Sequence, residues 1–412
     1  MNGRVVGEVQ RTGPKATRLR YDTDPGPTPL SVAMTDRSQR YRDKALTPWL
    51  EGLLPDRPET LYQWRRRFGI ADDLSAFALL RHVGEDVAGA AQFVRPDRLD
   101  VVRGGGGVLK PLTDADIAEM LRRAKANMPV SLDDDAVGKF SLAGARAKIA
   151  LHRTGGPGDG WSDPSGAVPS THILKPAIPG MDDQDLLEAV TMRTARALKL
   201  TAAPVAIEEF DDERAIVVTR YDRRRTSDGK RFVRVHQEDM CQALAEWPGR
   251  KYESQGGPDA VRVADLIHTT SSRPAEDTRR FAQALIFNWL TCGTDAHARN
   301  YSLLLSGDTV RLSPLYDLNS HLAYANGSGT DLSMSVDGTF RATSVTVSTW
   351  KRAARALHVD TDWLLAEIDR QAAELPAAVA EAAASSDVAR YDSPTIARLV
   401  DNVEPWVTQR IG

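Results

Sequence analysis

The stretch TDAHARNYSLLL at residues 294–305 places an acid, a histidine, a base and an amide within six positions, directly after the apolar run FAQALIFNWLTCG at 281–293. Asp295 and Asn300 stand five positions apart, the spacing of protein-kinase catalytic loops. There the aspartate accepts the proton of the acceptor hydroxyl and the asparagine binds Mg²⁺. Two residues alone are a weak signal, and a solvated turn with the aspartate as a helix cap is the alternative.

A second carboxylate strengthens the phosphoryl-transfer interpretation. Asp317 comes seventeen positions after Asn300 and follows the β-like TVRLSPLY. A kinase places its other Mg²⁺ ligand at such a strand end, because hard oxygen ligands must hold the metal against the phosphates. Leu318 and Asn319 replace the phenylalanine and glycine that usually follow this aspartate. Asp317 alone would equally fit a turn, but together with Asp295 it favours a catalytic function.

Lys175 ends the apolar run THILKP at 171–176. A lysine in a buried strand is costly unless a charge pairs with it, and ATP phosphates supply such a charge. The alternative is a strand-end lysine whose ammonium reaches water. Glu188, on the next predicted helix, is a weaker prediction for a kinase-style partner of this lysine.

The small residues Ala-Gly-Ala at 143–145 lead to Arg146 and Lys148. Small residues let backbone N–H groups approach phosphate oxygens, and a following base adds positive charge. The stretch matches neither the Walker pattern nor the kinase Gly-x-Gly-x-x-Gly. Spacing alone therefore leaves a plain hairpin open.

The chain of 412 residues is long enough for two or three domains. Short β-like runs followed by a helical pattern predict a subdomain at 1–110. Strands with one helix predict a nucleotide-binding lobe at 111–235, and a mainly helical pattern predicts a C-terminal lobe at 236–412. The expected fold class is α+β: a two-lobed, protein-kinase-like fold with a small β-rich N-terminal subdomain.

Composition excludes several classes of protein. A net charge of −3 gives no overall field for nucleic acid or lipid. Cys241 and Cys292 are too few for a disulfide framework. The start lacks the apolar core of a signal peptide, and the longest apolar run, 281–292, is too short to span a bilayer. A soluble, cytoplasmic protein without a membrane partner is expected.

The segments, taken in order, resemble the HipA family of bacterial serine/threonine kinase toxins from type II toxin–antitoxin pairs. The resemblance covers nearly the whole chain. It is carried by GRVVGEV (3–9), FALLRHVGEDVAGA (77–90), FSLAGARAKIAL (140–151), PSTHILKP (169–176), VVTRYDRR (217–224), HQEDMCQAL (236–244), KYESQGGP (251–258), NWLTCGTDAHARN (288–300) and LSPLYDL (312–318).

The resemblance implies roles for matching positions. Asp295 would be the catalytic base, and Asn300 and Asp317 the Mg²⁺ ligands. The implied ATP-binding residues are the phosphate loop Ala143, Gly144, Ala145, Arg146, Ala147 and Lys148, the lysine Lys175, the hinge residues Thr219, Arg220, Tyr221 and Asp222, and His297, Asn300, Tyr316 and Asp317. Arg146 stands where the family usually has glutamine, which puts the detailed loop contacts in doubt.

Ser141 occupies the position at which family members phosphorylate themselves, which ejects the phosphate loop and switches the enzyme off. A phosphate adds nearly two negative charges beside a loop shaped for ATP phosphates, so the ATP-bound geometry should be disfavoured. A strand serine without a regulatory function is the alternative. For His236 in HQEDMCQAL a structural role is favoured over a metal ligand, because no second histidine stands at ligand spacing.

The resemblance also implies cofactors and partners. ATP and Mg²⁺ are the expected cofactors. The expected partners are a HipB-like helix-turn-helix antitoxin, operator DNA mainly through that antitoxin, and a protein substrate such as an aminoacyl-tRNA synthetase, whose phosphorylation would inhibit translation. Two alternatives remain: a catalytically idle co-repressor that bridges antitoxin dimers on operator DNA, and a small-molecule kinase, since the fold does not fix the acceptor.

Overall fold

Short strands and helices alternate along the chain in the computed structural model, which describes residues 1–412 except 14–15, 71–72, 129, 131–139, 157, 179, 326, 328 and 412. The strands are β1 (Gly7–Arg11), β2 (Thr17–Tyr21), β3 (Arg40–Arg42), β4 (Leu109–Leu112), β5 (Ile149–Arg153), β6 (Trp161–Pro164), β7 (His172–Pro176), β8 (Val205–Phe210), β9 (Glu213–Thr219), β10 (Arg223–Arg225), β11 (Phe232–Arg234), β12 (His236–Asp239), β13 (Ser302–Ser306), β14 (Thr309–Leu312), β15 (Asp331–Val336) and β16 (Thr339–Arg341). The α-helices are α1 (Leu46–Glu51), α2 (Pro58–Arg67), α3 (Ala76–Val83), α4 (Leu99–Arg103), α5 (Asp114–Lys125), α6 (Gln184–Ala197), α7 (Met240–Ala243), α8 (Ala260–Thr270), α9 (Pro274–Leu290), α10 (Val347–Ala356), α11 (Thr361–Ala383), α12 (Ser386–Ala389) and α13 (Pro394–Ile411).

The chain divides into two compact units, each described here by itself. Unit 1 comprises Met1–Pro176, Glu209–Gly249 and Leu304–Thr309, and unit 2 comprises Ala177–Glu208, Arg250–Leu303 and Val310–Gly412. Most strands belong to unit 1 and most long helices to unit 2. This mixture of antiparallel sheets and separate helices confirms the predicted α+β class.

A six-stranded sheet in the order β4-β6-β5-β7-β9-β8 forms the centre of unit 1. Its pairs are antiparallel where the register is resolved: Ile149 of β5 faces Leu174 of β7, and Lys175 faces Ile216 of β9. Such pairs put alternate side chains on one face of the sheet. Leu151 and Leu174 contribute their fully buried side chains to the core on this face.

Helix α5 covers that face because its sequence is amphipathic and its start is capped. Ile117, Leu121 and Ala124 lie on one side of the helix, at spacings of three and four residues, and all three are buried in the same core. The Thr113 hydroxyl accepts from the Asp116 amide, while the Asp116 carboxylate accepts from the Thr113 amide, which gives a capping box. The cap sets where the helix begins.

A buried ionic cluster joins Asp86, which follows helix α3, to the segment after β9. The Asp86 carboxylate accepts hydrogen bonds from Arg223 at 2.8 Å and Arg234 at 3.2 Å. The Asp222 carboxylate pairs with Arg220 at 2.8 Å and Arg223 at 2.9 Å. All five side chains are at most 8% exposed. The positive charges keep the pKa of Asp86 well below its usual range although burial opposes this, so both carboxylates are held as anions.

His236 has a structural function in this unit. Its Nε2 lies 2.9 Å from the Leu30 carbonyl, and its Nδ1 accepts from the Ala90 amide at 3.2 Å. Both ring nitrogens are therefore engaged by backbone groups. The ring is buried, and burial lowers the pKa of His236 to about 4.

We expect unit 1 to lose stability as the pH falls below about 6.5, the ordinary pKa of histidine. Burial lowers the pKa of His172 to about 3 and that of His236 to about 4. Their stabilising effect is complete above the unfolded pKa and is lost as pH falls toward the folded pKa. Glu238 acts in the opposite direction, because burial raises its pKa to about 7. Below pH 6.5 these two histidines against this one glutamate give a net loss of about 1.4 kcal/mol per pH unit, so the urea midpoint should be lower at about pH 5 than at about pH 6.5.

A His172→Gln variant provides the control for this pH effect. Glutamine cannot take up a proton in this range, so the variant should lose less stability than the unaltered protein over the same interval. An equal or higher urea midpoint at about pH 5 would contradict the assignment of neutral buried histidines.

Helices dominate unit 2. The long helix α11 packs against α6, α9, α10 and α13. Trp289 of α9 and Trp350 of α10 are fully buried, with ring centroids 5.7 Å apart, and the Trp406 indole of α13 donates to the Trp289 carbonyl at 3.3 Å. Large aromatic side chains fix α9 by this packing, and the loop that follows α9 carries the candidate site. Among the described residues, none of the helices is both long and apolar enough to cross a membrane.

Candidate active site

The loop at 291–301 leaves the end of helix α9 and enters strand β13. Proline at the first helical position and the acids Glu276 and Asp277 in the first turn favour the start of α9. At its other end, Gly293 is needed because a Cβ there would lie 2.6 Å from Asn288 Oδ1 and 3.2 Å from the Asn319 carbonyl. This close approach turns the chain toward a 3₁₀ turn at Ala298–Asn300.

Three of the residues predicted from the sequence come together here. Asp295, Asn300 and Asp317 line one small cavity of about 10 Å³ in unit 2. The Asn300 amide nitrogen donates to the Asp295 carbonyl at 2.6 Å, which fixes the amide and leaves its oxygen as an acceptor. The Asp295 side chain is 56% exposed. The cavity is therefore lined by an amide and a carboxylate next to the accessible carboxylate of Asp295.

Asp317 has a left-handed backbone with a φ of 57°. Aspartate tolerates this region better than most residues, yet it is sparsely populated and recurs at functional sites. Residues on both sides of Asp317 are anchored: the Tyr316 hydroxyl donates to the Arg299 carbonyl at 2.7 Å, and Asn319 Oδ1 accepts from Gln184 Nε2 at 2.7 Å. These anchors fix the segment that carries the carboxylate.

His297 lies within the loop at 291–301 and is buried and neutral. Its side chain is 5% exposed, and Nε2 lies 3.8 Å from Asp295 Oδ1. Burial, with Lys251 and Arg299 nearby, lowers the pKa of His297 to about 3. Nδ1 is buried and has no hydrogen-bond partner within the described part of the chain. A neutral ring with an unsatisfied nitrogen fits a contact with a bound molecule better than proton transfer.

The predicted phosphate loop lies in unit 1, where residues from the N-terminal part hold it. The Gly144 carbonyl accepts from the Asp56 amide at 3.3 Å. Gly144 has a φ of 103°, and a Cβ there would lie 2.7 Å from Lys148 Nζ, so the loop needs glycine at this position. The Lys148 ammonium donates to the Ala143 carbonyl. The loop is an irregular turn ahead of β5, and its function in phosphate binding stays a prediction.

Ser141 is fully buried immediately before this loop. Its hydroxyl donates to the Leu53 carbonyl at 2.7 Å, and its amide donates to the Asp86 carbonyl at 3.0 Å. In this conformation a kinase could not reach the hydroxyl. Phosphorylation of Ser141, which stays a prediction, would require the segment to leave these contacts.

The predicted hinge residues have diverse environments. Thr219 ends β9 and faces His172 in the sheet. The side chains of Arg220 and Asp222 belong to the buried ionic cluster, and the Tyr221 hydroxyl donates to Gln237. Any nucleotide contact from Arg220 or Asp222 would thus have to come from backbone atoms, and the predicted binding function of these residues stays untested.

Lys175 is 6% exposed on β7, as predicted for a buried strand lysine. Glu188 is fully buried on α6. Their pairing stays a prediction.

Two contacts of the site were not predicted from the sequence: the hydrogen bond between Gln184 and Asn319, and that between the Tyr252 hydroxyl and the Asp295 carboxylate. Residues more than forty positions apart carry no local signal of such contacts.

The donor set fits Mg²⁺ held jointly with phosphates. The amide oxygen of Asn300 and the carboxylate of Asp317 line the same cavity, and hard oxygen donors are what Mg²⁺ prefers. Within the described residues no group of three or more acidic, histidine or cysteine side chains could hold a metal unaided. The buried Nδ1 of His297, which has no hydrogen-bond partner within the described residues, would fit a polar group of a nucleotide bound there.

The fold and the site together define the class of this protein. An α+β chain in two units carries a loop with aspartate and asparagine five positions apart, and a second aspartate at the same cavity. This is the arrangement of kinase-like proteins.

Comparison with known proteins identifies the family within that class. The model of the HipA N-terminal domain matches residues 1–94, and that of the HipA-like C-terminal domain matches residues 140–385. The chain belongs to the HipA family.

Individual relatives agree with this assignment. The chain is 34% identical over 329 residues to a putative kinase, Y4mE, of Sinorhizobium fredii. This alignment covers 78% of this chain and 76% of that protein. The chain is 29% identical over 327 residues to the serine/threonine-protein kinase toxin HipA of Shewanella oneidensis, covering 74% and 70%. Among solved structures, a chain of the Shewanella oneidensis complex of HipA, HipB and operator DNA matches with a TM-score of 0.75, 25% identity and 97% coverage of both chains.

Proposed function

We propose that this protein is an ATP- and Mg²⁺-dependent protein serine/threonine kinase, the toxin of a HipBA-like toxin–antitoxin pair. The observation that carries the proposal is the convergence of Asp295, Asn300 and Asp317 on one cavity. The relatives named as kinases support it. An idle co-repressor would have no need for this combination of an accessible base and two metal ligands.

The proposed chemistry assigns one task to each of these residues. Asp295 accepts the proton of a serine or threonine hydroxyl, for which its half-exposed carboxylate is suited. Asn300 and Asp317 hold Mg²⁺. When bound, Mg²⁺ and ATP supply charge neutralisation and the phosphoryl group. His297, neutral at physiological pH because burial lowers its pKa to about 3, contacts the nucleotide rather than transferring the proton.

Residues of unit 1 are proposed to bind ATP phosphates. Gly144, with a φ of 103°, gives the turn at Ala143–Lys148 a backbone conformation that other residues rarely adopt, and we assign the backbone amides of this turn to the phosphates. Lys175 presents a buried ammonium on β7, and burial strengthens its attraction to phosphate. Arg146, in place of the family's usual glutamine, adds a second cation that suits a phosphate neighbour.

The proposed partner is a HipB-like helix-turn-helix antitoxin, with operator DNA reached mainly through it. Support comes from the solved relative, a HipA from a complex with HipB and operator DNA. The proposed target is a cytoplasmic protein of translation, such as an aminoacyl-tRNA synthetase. Autophosphorylation at Ser141 would regulate the kinase once that buried serine is released from Leu53.

The test of this function is the chemical class of the acceptor. The protein is incubated with Mg²⁺, labelled ATP and a bacterial lysate, and the label is followed into proteins and into small molecules, with EDTA as the control. We expect label on serine or threonine in protein, and none in EDTA. Label confined to a metabolite would favour a small-molecule kinase, and no Mg²⁺-dependent label in either fraction would contradict a kinase.

A further inference from the structure

The KYESQGGP segment at 251–258 contacts the catalytic loop at its reactive residue. The Tyr252 hydroxyl donates a hydrogen bond of 2.7 Å to Oδ1 of Asp295. Hydrogen bonds to a carboxylate are among the stronger ones in proteins. Within the loop, His297 Nε2 lies 3.8 Å from the same oxygen.

The Tyr252 ring is placed by further contacts with the same loop. It packs edge-on against the His297 ring, with centroids 4.9 Å apart and planes at 85°. The preceding carbonyl, that of Lys251, accepts from the Ala298 amide at 3.2 Å. The segment thus contacts the loop at Asp295 and on its C-terminal side, through backbone as well as side chain.

The rest of the segment is fixed to strand β15. The Glu253 carboxylate accepts from the Ser335 amide at 2.7 Å and from its hydroxyl at 2.6 Å. The Ser333 hydroxyl of the same strand donates to the Thr294 carbonyl, next to Asp295. Strand β15 therefore holds both the tyrosine-bearing segment and the start of the loop, which makes the tyrosine a rigid support.

An exposed aspartate on a loop would otherwise sample several rotamers, and only some of them direct an oxygen toward an acceptor hydroxyl. The hydrogen bond from the tyrosine to Oδ1 restricts the rotamers that this carboxylate can adopt. We propose that Tyr252 is a positioning residue for Asp295, holding the carboxylate in the orientation that accepts the substrate proton. This inference rests on the proposed kinase function and adds a residue to it.

The test replaces Tyr252 by phenylalanine, which removes the hydroxyl and keeps the ring against His297. The expected result is a fall in kcat for phosphate transfer of about tenfold to a hundredfold, the size that misplacement of a catalytic group produces, with an unchanged KM for ATP. The matched control is Tyr391→Phe, which removes the hydroxyl of a tyrosine in the same unit whose ring lies beside Arg390. This variant should leave kcat unchanged.

A second measurement keeps this inference separate from the kinase proposal. A double-mutant cycle of Tyr252→Phe and Asp295→Ala on the free energy of unfolding reports the hydrogen bond whether or not the protein is active. Non-additive changes are expected. Additive changes, or a Tyr252→Phe variant with unchanged or increased kcat, would overturn the positioning function. If the wild-type protein transfers no phosphate, the kinase proposal is overturned. The double-mutant cycle would then still show whether Tyr252 and Asp295 interact.

Discussion

Asp317→Asn is expected to lower Mg²⁺-dependent phosphate transfer by about a hundredfold to a thousandfold, the range seen when one electrostatic contact to the transition state is removed. The neutral amide is a weaker ligand for a hard cation than the carboxylate. The fold should be kept, because asparagine is among the residues that tolerate a φ of 57°. The measurement is single-turnover transfer of labelled phosphate across a range of Mg²⁺ concentrations.

The matched control for this variant is Asp392→Asn. Asp392 is an exposed aspartate of unit 2 that also has a left-handed backbone, with a φ of 45°. The same substitution there tests the backbone effect without touching the cavity. If Asp317→Asn transfers phosphate as fast as the control at every Mg²⁺ concentration, then Asp317 is not a ligand of the metal.

Asp86→Ala is expected to destabilise unit 1 by about 3–5 kcal/mol, the cost of removing one partner from a buried ion pair. Arg223 and Arg234 would lose the carboxylate that accepts from them, at 2.8 and 3.2 Å, and both are almost completely buried. An unpaired buried charge is far more costly than the loss of an exposed pair. The free energy of unfolding in urea measures the effect.

Asp97→Ala supplies the comparison. Asp97 pairs with Arg95 at 2.9 Å on the surface, with 62% of its side chain exposed. Its removal should change stability little, since solvent screens such pairs. If Asp86→Ala and Asp97→Ala had the same free energy of unfolding, the cluster around Asp86 would not be what stabilises the N-terminal part against the sheet.

The loop at 291–301 could be singled out because Asp295 and Asn300 lie close together in the sequence. Their spacing alone was a weak signal, and only with Asp317 and the family resemblance did it favour phosphoryl transfer, a role that stays a prediction. The strand THILKP, which is β7 in the structure, was also predicted, since short β-branched and apolar runs between turn signals are typical of strands. By contrast, no strand was predicted at β4, which follows the Gly-rich stretch at 104–107.

Contacts between distant segments could not be predicted. Asp86, Arg223 and Arg234 form one cluster although more than a hundred positions separate the aspartate from the arginines. In the sequence each is simply a charged residue, for which a solvated position is the usual expectation. Tyr252 likewise showed no sign of its hydrogen bond to Asp295, because only the folded chain brings segment 251–258 beside the loop.

The kinase assignment depends most of all on Asp295. The measurement is single-turnover transfer of labelled phosphate from ATP with Mg²⁺, comparing the wild-type protein, Asp295→Asn and the exposed-residue control Asp401→Asn, with nucleotide binding measured in parallel. A catalytic base at this position predicts that Asp295→Asn loses about a hundredfold or more in rate while it still binds ATP, and that Asp401→Asn behaves as wild type. Equal transfer by Asp295→Asn and wild type would contradict it.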